Sequence, residues 1–177
     1  MRALVTGGTG FVGGALVRAL QARGDSVRVL ARPTSSTATL EAAGVEIARG
    51  DILDRASIAA ALDGCDALFH AAALYELWGL DAAELLATET EGTRNAMEAA
   101  LAAGAGKVIY TSTAVCIGEA KGQVATTTTT HRGYYLSRYE KAKYAAEQIA
   151  LSYVAKGLPL VAVCPAGVYG PGDRKPT

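Results

Sequence analysis

Two periodicities alternate along the chain. Short apolar runs fall near 2–6, 26–31, 45–49, 66–70, 107–112 and 159–164. They are too short for helices and dense in Val, Leu, Ile and Ala, the pattern of strands buried on both faces. Between them apolar residues recur at helical spacing, near 11–23, 36–43, 55–62, 82–103 and 134–156. Val12, Leu16, Val17 and Leu20 mark the first such stripe. Regular strand–helix alternation predicts an α/β fold. Its sheet is doubly wound and parallel, with helices on both faces and right-handed crossovers, three layers in all. The Ala-rich stretch from Ala96 to Ala103 suits close packing on that sheet.

The first strand runs straight into Gly7, Gly10 and Gly13, and then into the first helix. Strand, glycine turn and helix in this order hold a dinucleotide in doubly wound domains. Gly7 allows the tight turn. Gly10 lets backbone N–H groups approach a pyrophosphate. Gly13 lets the helix pack close to the sheet. The helix N-terminus then offers unpaired donors and a partial positive charge.

A second motif lies far downstream. Tyr139 and Lys143 stand four apart in the last helical segment, on one face and one turn apart. A phenol has a reference pKa near 10, and a neighbouring ammonium lowers it. Such a tyrosine can exchange a proton with an alcohol or ketone during hydride transfer. Between the two motifs, the strand starting at Lys107 ends in Thr111, Ser112 and Thr113. These hydroxyls fall at the C-terminal end of a parallel strand, where ligands bind.

These residues resemble an extended short-chain dehydrogenase/reductase, of the NAD(P)-dependent epimerase/dehydratase and dihydroflavonol-reductase branch. The carrying pieces are Thr6-Gly-Gly-Thr-Gly-Phe-Val-Gly13, Gly50-Asp-Ile-Leu-Asp54, Phe69-His-Ala-Ala72, Gly92-Thr-Arg-Asn95, Tyr110-Thr-Ser-Thr-Ala-Val115, Tyr139-Glu-Lys-Ala-Lys143 and Pro165-Ala-Gly-Val-Tyr-Gly-Pro-Gly-Asp173. They follow the family's order over nearly the whole chain. The run after the second strand and the Trp78 segment are most similar to bacterial hopanoid-associated sugar epimerases.

The resemblance implies a Rossmann-type cofactor domain over 1–177, with the family's C-terminal substrate domain absent. It implies that Gly7, Thr9, Gly10, Phe11, Val12 and Gly13 bind the cofactor at its pyrophosphate. Asp51 and Ile52 would sit at the adenine. Ala71, Ala72 and Ala73 would line the floor near the ribose, and Thr111 would join the cofactor set. Thr113 matches the catalytic Ser/Thr, with Ser112 as the alternative. Tyr139 would be the acid–base residue. Lys143 would be its partner and would hold the nicotinamide ribose. Pro165 and Val168 would lie beside the nicotinamide.

In members that use NAD an acidic residue follows the second strand. Here Arg32 stands there, with Thr34, Ser35 and Ser36 after it. An arginine at that point pairs with a 2′-phosphate, which favours NADP(H) over NAD(H).

Composition is consistent with this picture. A length of 177 residues suits one domain, half of the residues are hydrophobic and 19% are charged. The 17 Lys+Arg balance 17 Asp+Glu, so no basic excess points to nucleic acid. No apolar run approaches the roughly 20 residues that cross a bilayer. The N-terminal apolar stretch is broken by glycines, unlike a secretory leader. A cytoplasmic location is expected. Cys65, Cys116 and Cys164 are widely spaced and odd in number, which favours reduced thiols over a disulfide framework or a metal site. His70 and His131 form no ligand cluster, and His70 reads as structural.

The chain departs from the family at Glu89, where Asn is usual. An ionised carboxylate cannot donate hydrogen bonds as Asn does. It also departs at Thr126–Thr130, a polar loop, and at Cys116-Ile117, where an aromatic ending is usual. The last strand would be an exposed edge with apolar surface uncovered. Two functions follow. One is an oxidoreductase or epimerase acting on a small sugar-nucleotide, flavonoid-like or other carbonyl substrate. The other is a dinucleotide-binding module without turnover, a truncated or split cofactor domain or a redox sensor. The resemblance implies partnering by a homodimer through segments 82–103 and 134–156, or by a complementary C-terminal half.

Overall fold

The structure is a computed structural model, and it describes residues 1–74, 81–118, 122 and 124–173. The Trp78 segment lies outside the described residues. Six strands, β1 (Arg2–Thr6), β2 (Ser26–Ala31), β3 (Glu46–Arg49), β4 (Ala67–His70), β5 (Lys107–Thr111) and β6 (Leu160–Val163), form one sheet. All neighbouring pairs are parallel, in the order β3-β2-β1-β4-β5-β6. The helices are α1 (Phe11–Ala22), α2 (Ala38–Ala42), α3 (Arg55–Leu62), α4 (Ala82–Ala102) and α5 (Arg138–Ser152). This is the doubly wound, three-layer arrangement expected of the alternation.

Strand side chains alternate between two cores because the pleat sends successive residues to opposite faces. Ala3 and Val5 join Val17 and Leu20 of α1 on one side. Leu4, Leu68 and Val108 join Ile58, Met97, Ala100, Ala146 and Ala150 on the other. The alanines of α4 and α5 let both helices lie close to the sheet. At the edge strand β6, Leu160 and Ala162 pack inward. Val161 and Val163 stay 59% and 43% exposed, so the apolar edge anticipated from the sequence is present.

One helix differs from expectation. The segment read as 134–156 starts only at Arg138 and is followed by a separate 3-10 turn, Val154–Lys156. Tyr134 and Tyr135 therefore lie outside it. Ser137 caps α5 by accepting from Glu140 N (3.0 Å), and the Glu140 carboxylate accepts from Leu136 N (2.7 Å). This local pairing of the cap with the third helical position sets the boundary more strongly than the apolar spacing does. A further 3-10 turn, Ala114–Cys116, follows β5.

Candidate active site

β1 and β4 are neighbours whose connections leave in opposite directions along the sheet. Such a switch point opens a crevice at the C-terminal strand ends. Gly7 leaves β1 with φ +74°, and a Cβ there would lie 2.6 Å from Ala71 O and Ala72 N. Only glycine lets this loop rest on the end of β4. Thr6 ties the two strand ends together. Its carbonyl accepts from Ala71 N (3.2 Å), and its hydroxyl accepts from Ala72 N (3.3 Å) and meets His70 Nδ1 (2.9 Å).

A Cβ on Gly13 would lie 2.1 Å from Gly7 O. Gly13 thus makes room for the loop beneath its own helix. Close approach to the sheet itself is made by Gly8, whose Cβ would meet Val29 at 2.7 Å. At Gly10 a Cβ would find a single neighbour, Gly7 O at 3.2 Å, so its outer side is open. Gly10 is also the N-cap of α1 and supplies no side-chain acceptor to the first turn. A cradle of backbone donors at a helix N-terminus fits a pyrophosphate, and Thr9, Phe11 and Val12 lie on it. Val12 and Thr9 are exposed.

Arg32 follows β2 and is exposed. Its carbonyl accepts from Ser35 N (2.9 Å) and from Arg49 Nη1 (3.3 Å). Arg49 also reaches Ser35 O (3.1 Å) and Thr37 Oγ1 (2.5 Å). Arg49 therefore braces the loop that presents Arg32. Asp51 turns its segment by accepting from Leu53 N (2.9 Å), and Ile52 O accepts from Asn95 Nδ2 (3.0 Å). The Ile52 side chain fills the space over Gly92, where a Cβ would be 2.6 Å from it.

Tyr139 lies in the first turn of α5 and is half-buried. Lys143, one turn on, is buried. Its Nζ donates to Thr111 O (3.0 Å), pairs with Glu89 Oε2 (3.3 Å) and lies 5.1 Å from the centre of the Tyr110 ring. The other Glu89 oxygen accepts from Leu74 N (2.7 Å). A buried ammonium needs such compensation. Glu89, a departure seen in the sequence, supplies it together with the Thr111 carbonyl.

The two hydroxyls after β5 have different fates. Ser112 is buried and its Oγ donates to Glu147 Oε2. Thr113 is half-buried and extended, at the start of the 3-10 turn. Cys164 Sγ also donates to Glu147 (3.7 Å). Burial, together with the nearby Glu147 carboxylate, pushes the Cys116 thiol up to about 11, against a weaker opposing pull from Ser112. The segment after β6 is held beside β5 by Ser112 N to Val163 O and Ala114 N to Pro165 O, both 2.8 Å. Pro165 is half-buried and Val168 is exposed.

His70 is stacked on Tyr110 (5.9 Å between centroids). Burial, aided by the Lys143 charge, lowers its pKa to about 3, so it is a neutral structural ring as the sequence suggested.

Sequence reasoning missed a hub at the start of α5, around Tyr139. Glu140 is buried and accepts from Leu136 N and from Arg132 Nη2 (2.5 Å), and it meets His131 Nε2 (3.2 Å). Burial pushes its carboxyl up, but the Leu136 N–H, His131 and Arg132 outweigh this and hold it below the usual range. His131 is flanked by Tyr144 and Tyr135, at 4.3 and 5.1 Å. The Ser137-x-x-Glu140 capping pattern was the available signal. Glu147 carried no comparable sign.

The parallel sheet, its strand order and the glycine turn between β1 and α1 together define a Rossmann-type domain. The chain belongs to the NAD dependent epimerase/dehydratase family, whose sequence model matches residues 3–177. It is 38% identical over 181 residues to Sterol demethylase protein B of Methylococcus capsulatus, covering 100% of this chain and 54% of that protein. It is 38% identical to a putative dihydroflavonol 4-reductase of Synechocystis, covering 98% of this chain and 51% of that one. The UDP-glucose 4-epimerase of Thermus thermophilus in complex with NAD superposes with a TM-score of 0.85 at 30% identity, covering 97% of this chain and 57% of that chain. The chain spans about half the length of the relatives it matches. Among the described residues no helix is long and apolar enough to cross a membrane.

Proposed function

We propose that the chain is the cofactor-binding part of an oxidoreductase or epimerase that moves hydride at a carbinol or carbonyl carbon. The observation that carries this reading is the Tyr139–Lys143 pair. Its lysine is anchored on the Thr111 carbonyl, next to the strand end that bears Thr113. When bound, a nicotinamide dinucleotide supplies the hydride donor or acceptor. Gly7, Gly10 and Gly13, with Thr9, Phe11 and Val12, hold its pyrophosphate. Asp51 and Ile52 meet the adenine, and Ala71, Ala72, Ala73 and Thr111 the sugar side. Pro165 and Val168 border the reactive ring. Tyr139 transfers the proton at the substrate oxygen and Thr113 orients that oxygen. Lys143 stabilises the phenolate and holds the ribose. Because Ser112 is spent on Glu147, Thr113 is preferred as the orienting hydroxyl.

The exposed Arg32, on a loop braced by Arg49, supports NADP(H) over NAD(H). The substrate is a small carbonyl compound, sugar-nucleotide or flavonoid-like. Calorimetric titration with NADPH and NADH tests the cofactor. NADPH binding that weakens in Arg32→Ala supports the assignment, and equal binding of both cofactors refutes the preference. Tyr139→Phe tests the chemistry. Turnover should fall by about 100-fold or more with binding retained. The exposed apolar face of β6 favours a second reading, a dinucleotide-binding domain that turns over only with further structure laid on that face. Binding without any turnover to lose in Tyr139→Phe would select it.

A further inference from the structure

Lys143 lies one turn from Tyr139 on α5. A second charge, from α4, sits against it. Glu89 and Lys143 are both buried, with Oε2 and Nζ 3.3 Å apart. The same carboxylate accepts from Leu74 N (2.7 Å), beyond the strand end that holds Ala71 to Ala73. One side chain therefore links the lysine to the loop after β4.

We propose that Glu89 is a positioning residue for the tyrosine–lysine pair: it fixes the ammonium against the Thr111 carbonyl and offsets part of its field at Tyr139. This rests on the reading of Tyr139 as the acid–base residue. An ammonium favours the phenolate and a carboxylate beside it opposes that effect. The pair acts in a buried setting, where screening by salt is weak. The consequence is a tyrosine that ionises at higher pH than the lysine alone would dictate.

The other groups facing Lys143 do not substitute for Glu89. On β5, Tyr110 presents its ring face, and burial, then the Glu89 charge, pushes its phenol up. On β4, His70 is uncharged, held far below its ordinary value by burial. In the 3-10 turn, Cys116 is buried and protonated. On α5 itself, Glu147 lies one turn beyond Lys143 and is engaged by Ser112 and Cys164. Among the described residues, Glu89 is the carboxylate in direct contact with the ammonium.

The test is the ionisation of Tyr139 followed by NMR of protein labelled at tyrosine Cζ, its resonance assigned by loss in Tyr139→Phe. In Glu89→Gln, or Glu89→Asn as a second neutral variant, the midpoint should fall by about one pH unit relative to the unsubstituted chain, the order expected for removing a nearby buried unit charge. Glu89→Asp keeps the charge and should retain the original midpoint. Lys143→Met should raise the midpoint. Equal midpoints in the neutral variants and the unsubstituted chain overturn the proposal. So does failure of both neutral variants to fold while Glu89→Asp folds, because the carboxylate's role would then be structural. The midpoint is read without cofactor or substrate. Absence of turnover would count against the enzyme reading and leave this measurement standing.

Discussion

Replacing Gly13 by alanine puts a methyl group where there is no room for one. Its Cβ would lie 2.1 Å from Gly7 O, 2.6 Å from Gly7 C and 3.0 Å from Gly8 Cα. All three neighbours are backbone, so no side chain can swing aside. Restoring ordinary contact requires α1 and the glycine loop to separate by about 1 Å. Overpacking of this kind costs about 1–3 kcal/mol. Against it stands the better helix propensity of alanine, worth about 0.8–1 kcal/mol. The net expectation is a loss of about 0–2 kcal/mol. Gly14 is the internal control. Its Cβ would sit 3.5 Å from Gly8 O, an ordinary contact, so Gly14→Ala should gain about 0.5–1 kcal/mol. The two adjacent substitutions should therefore move stability in opposite directions. Denaturant unfolding reads both, and thermal midpoints should differ by several degrees, at about 2–4 °C per kcal/mol. NADPH affinity should also fall in Gly13→Ala, since the cradle is displaced, and hold in Gly14→Ala. If Gly13→Ala is as stable as Gly14→Ala and binds as well, the steric argument for this glycine is wrong.

Other consequences follow from the buried polar groups. His70 is neutral when folded, with its pKa lowered to about 3 by burial and by Lys143. The unfolded chain takes up a proton near pH 6.5 that the folded chain refuses, so the His70 contribution is fully present above that pH and declines as pH falls toward 3. Unfolding free energies at pH 7, 6 and 5 should drop by about 1 kcal/mol per unit below 6.5, with a shallower slope in His70→Asn. Glu140→Gln removes the charge that gathers Arg132, His131 and Leu136. It should destabilise by about 2–4 kcal/mol and weaken turnover through disorder ahead of Tyr139, as read by unfolding and by proteolysis within 131–137. Ser112→Ala leaves the Glu147 carboxylate without its hydroxyl donor and should cost about 1–3 kcal/mol. Thr113→Ala should spare stability and reduce turnover, and the reverse pattern would exchange the two roles. Met97→Ala, at a fully buried position, should cost about 2–5 kcal/mol in denaturant unfolding.

Much of the fold is legible in the sequence, because its determinants are local. Buried parallel strands read as short apolar runs, and helices show their stripe within a few turns. The glycine trio declares a steric need that a few neighbouring residues create, which is why Gly7 takes the positive φ that its turn requires. The last helix was misjudged at its start because Tyr134 and Tyr135 continue an apolar spacing that is not helical there. The cap at Ser137 and the buried Glu140 decide that boundary, and the partners of Glu140 include His131 and Arg132 in the preceding loop.

The charge arrangement of the site was not legible. Glu89 is 54 residues from Lys143, and Ser112 is 35 from Glu147. No periodicity connects such pairs. They meet only because α4 and α5 pack side by side on the face of the sheet that carries β4 and β5. The sequence by itself determined the order of strands and helices and the glycine turn between β1 and α1, and it put the proposed Tyr139 and Lys143 one turn apart on α5. Tertiary structure decided which strand-end hydroxyl is tied to a buried carboxylate, which carboxylate compensates the buried lysine, and which glycine rests on loop and which on sheet. Those outcomes depend on contacts across tens of residues in a low-dielectric interior, where every buried charge must find a partner that local sequence does not name.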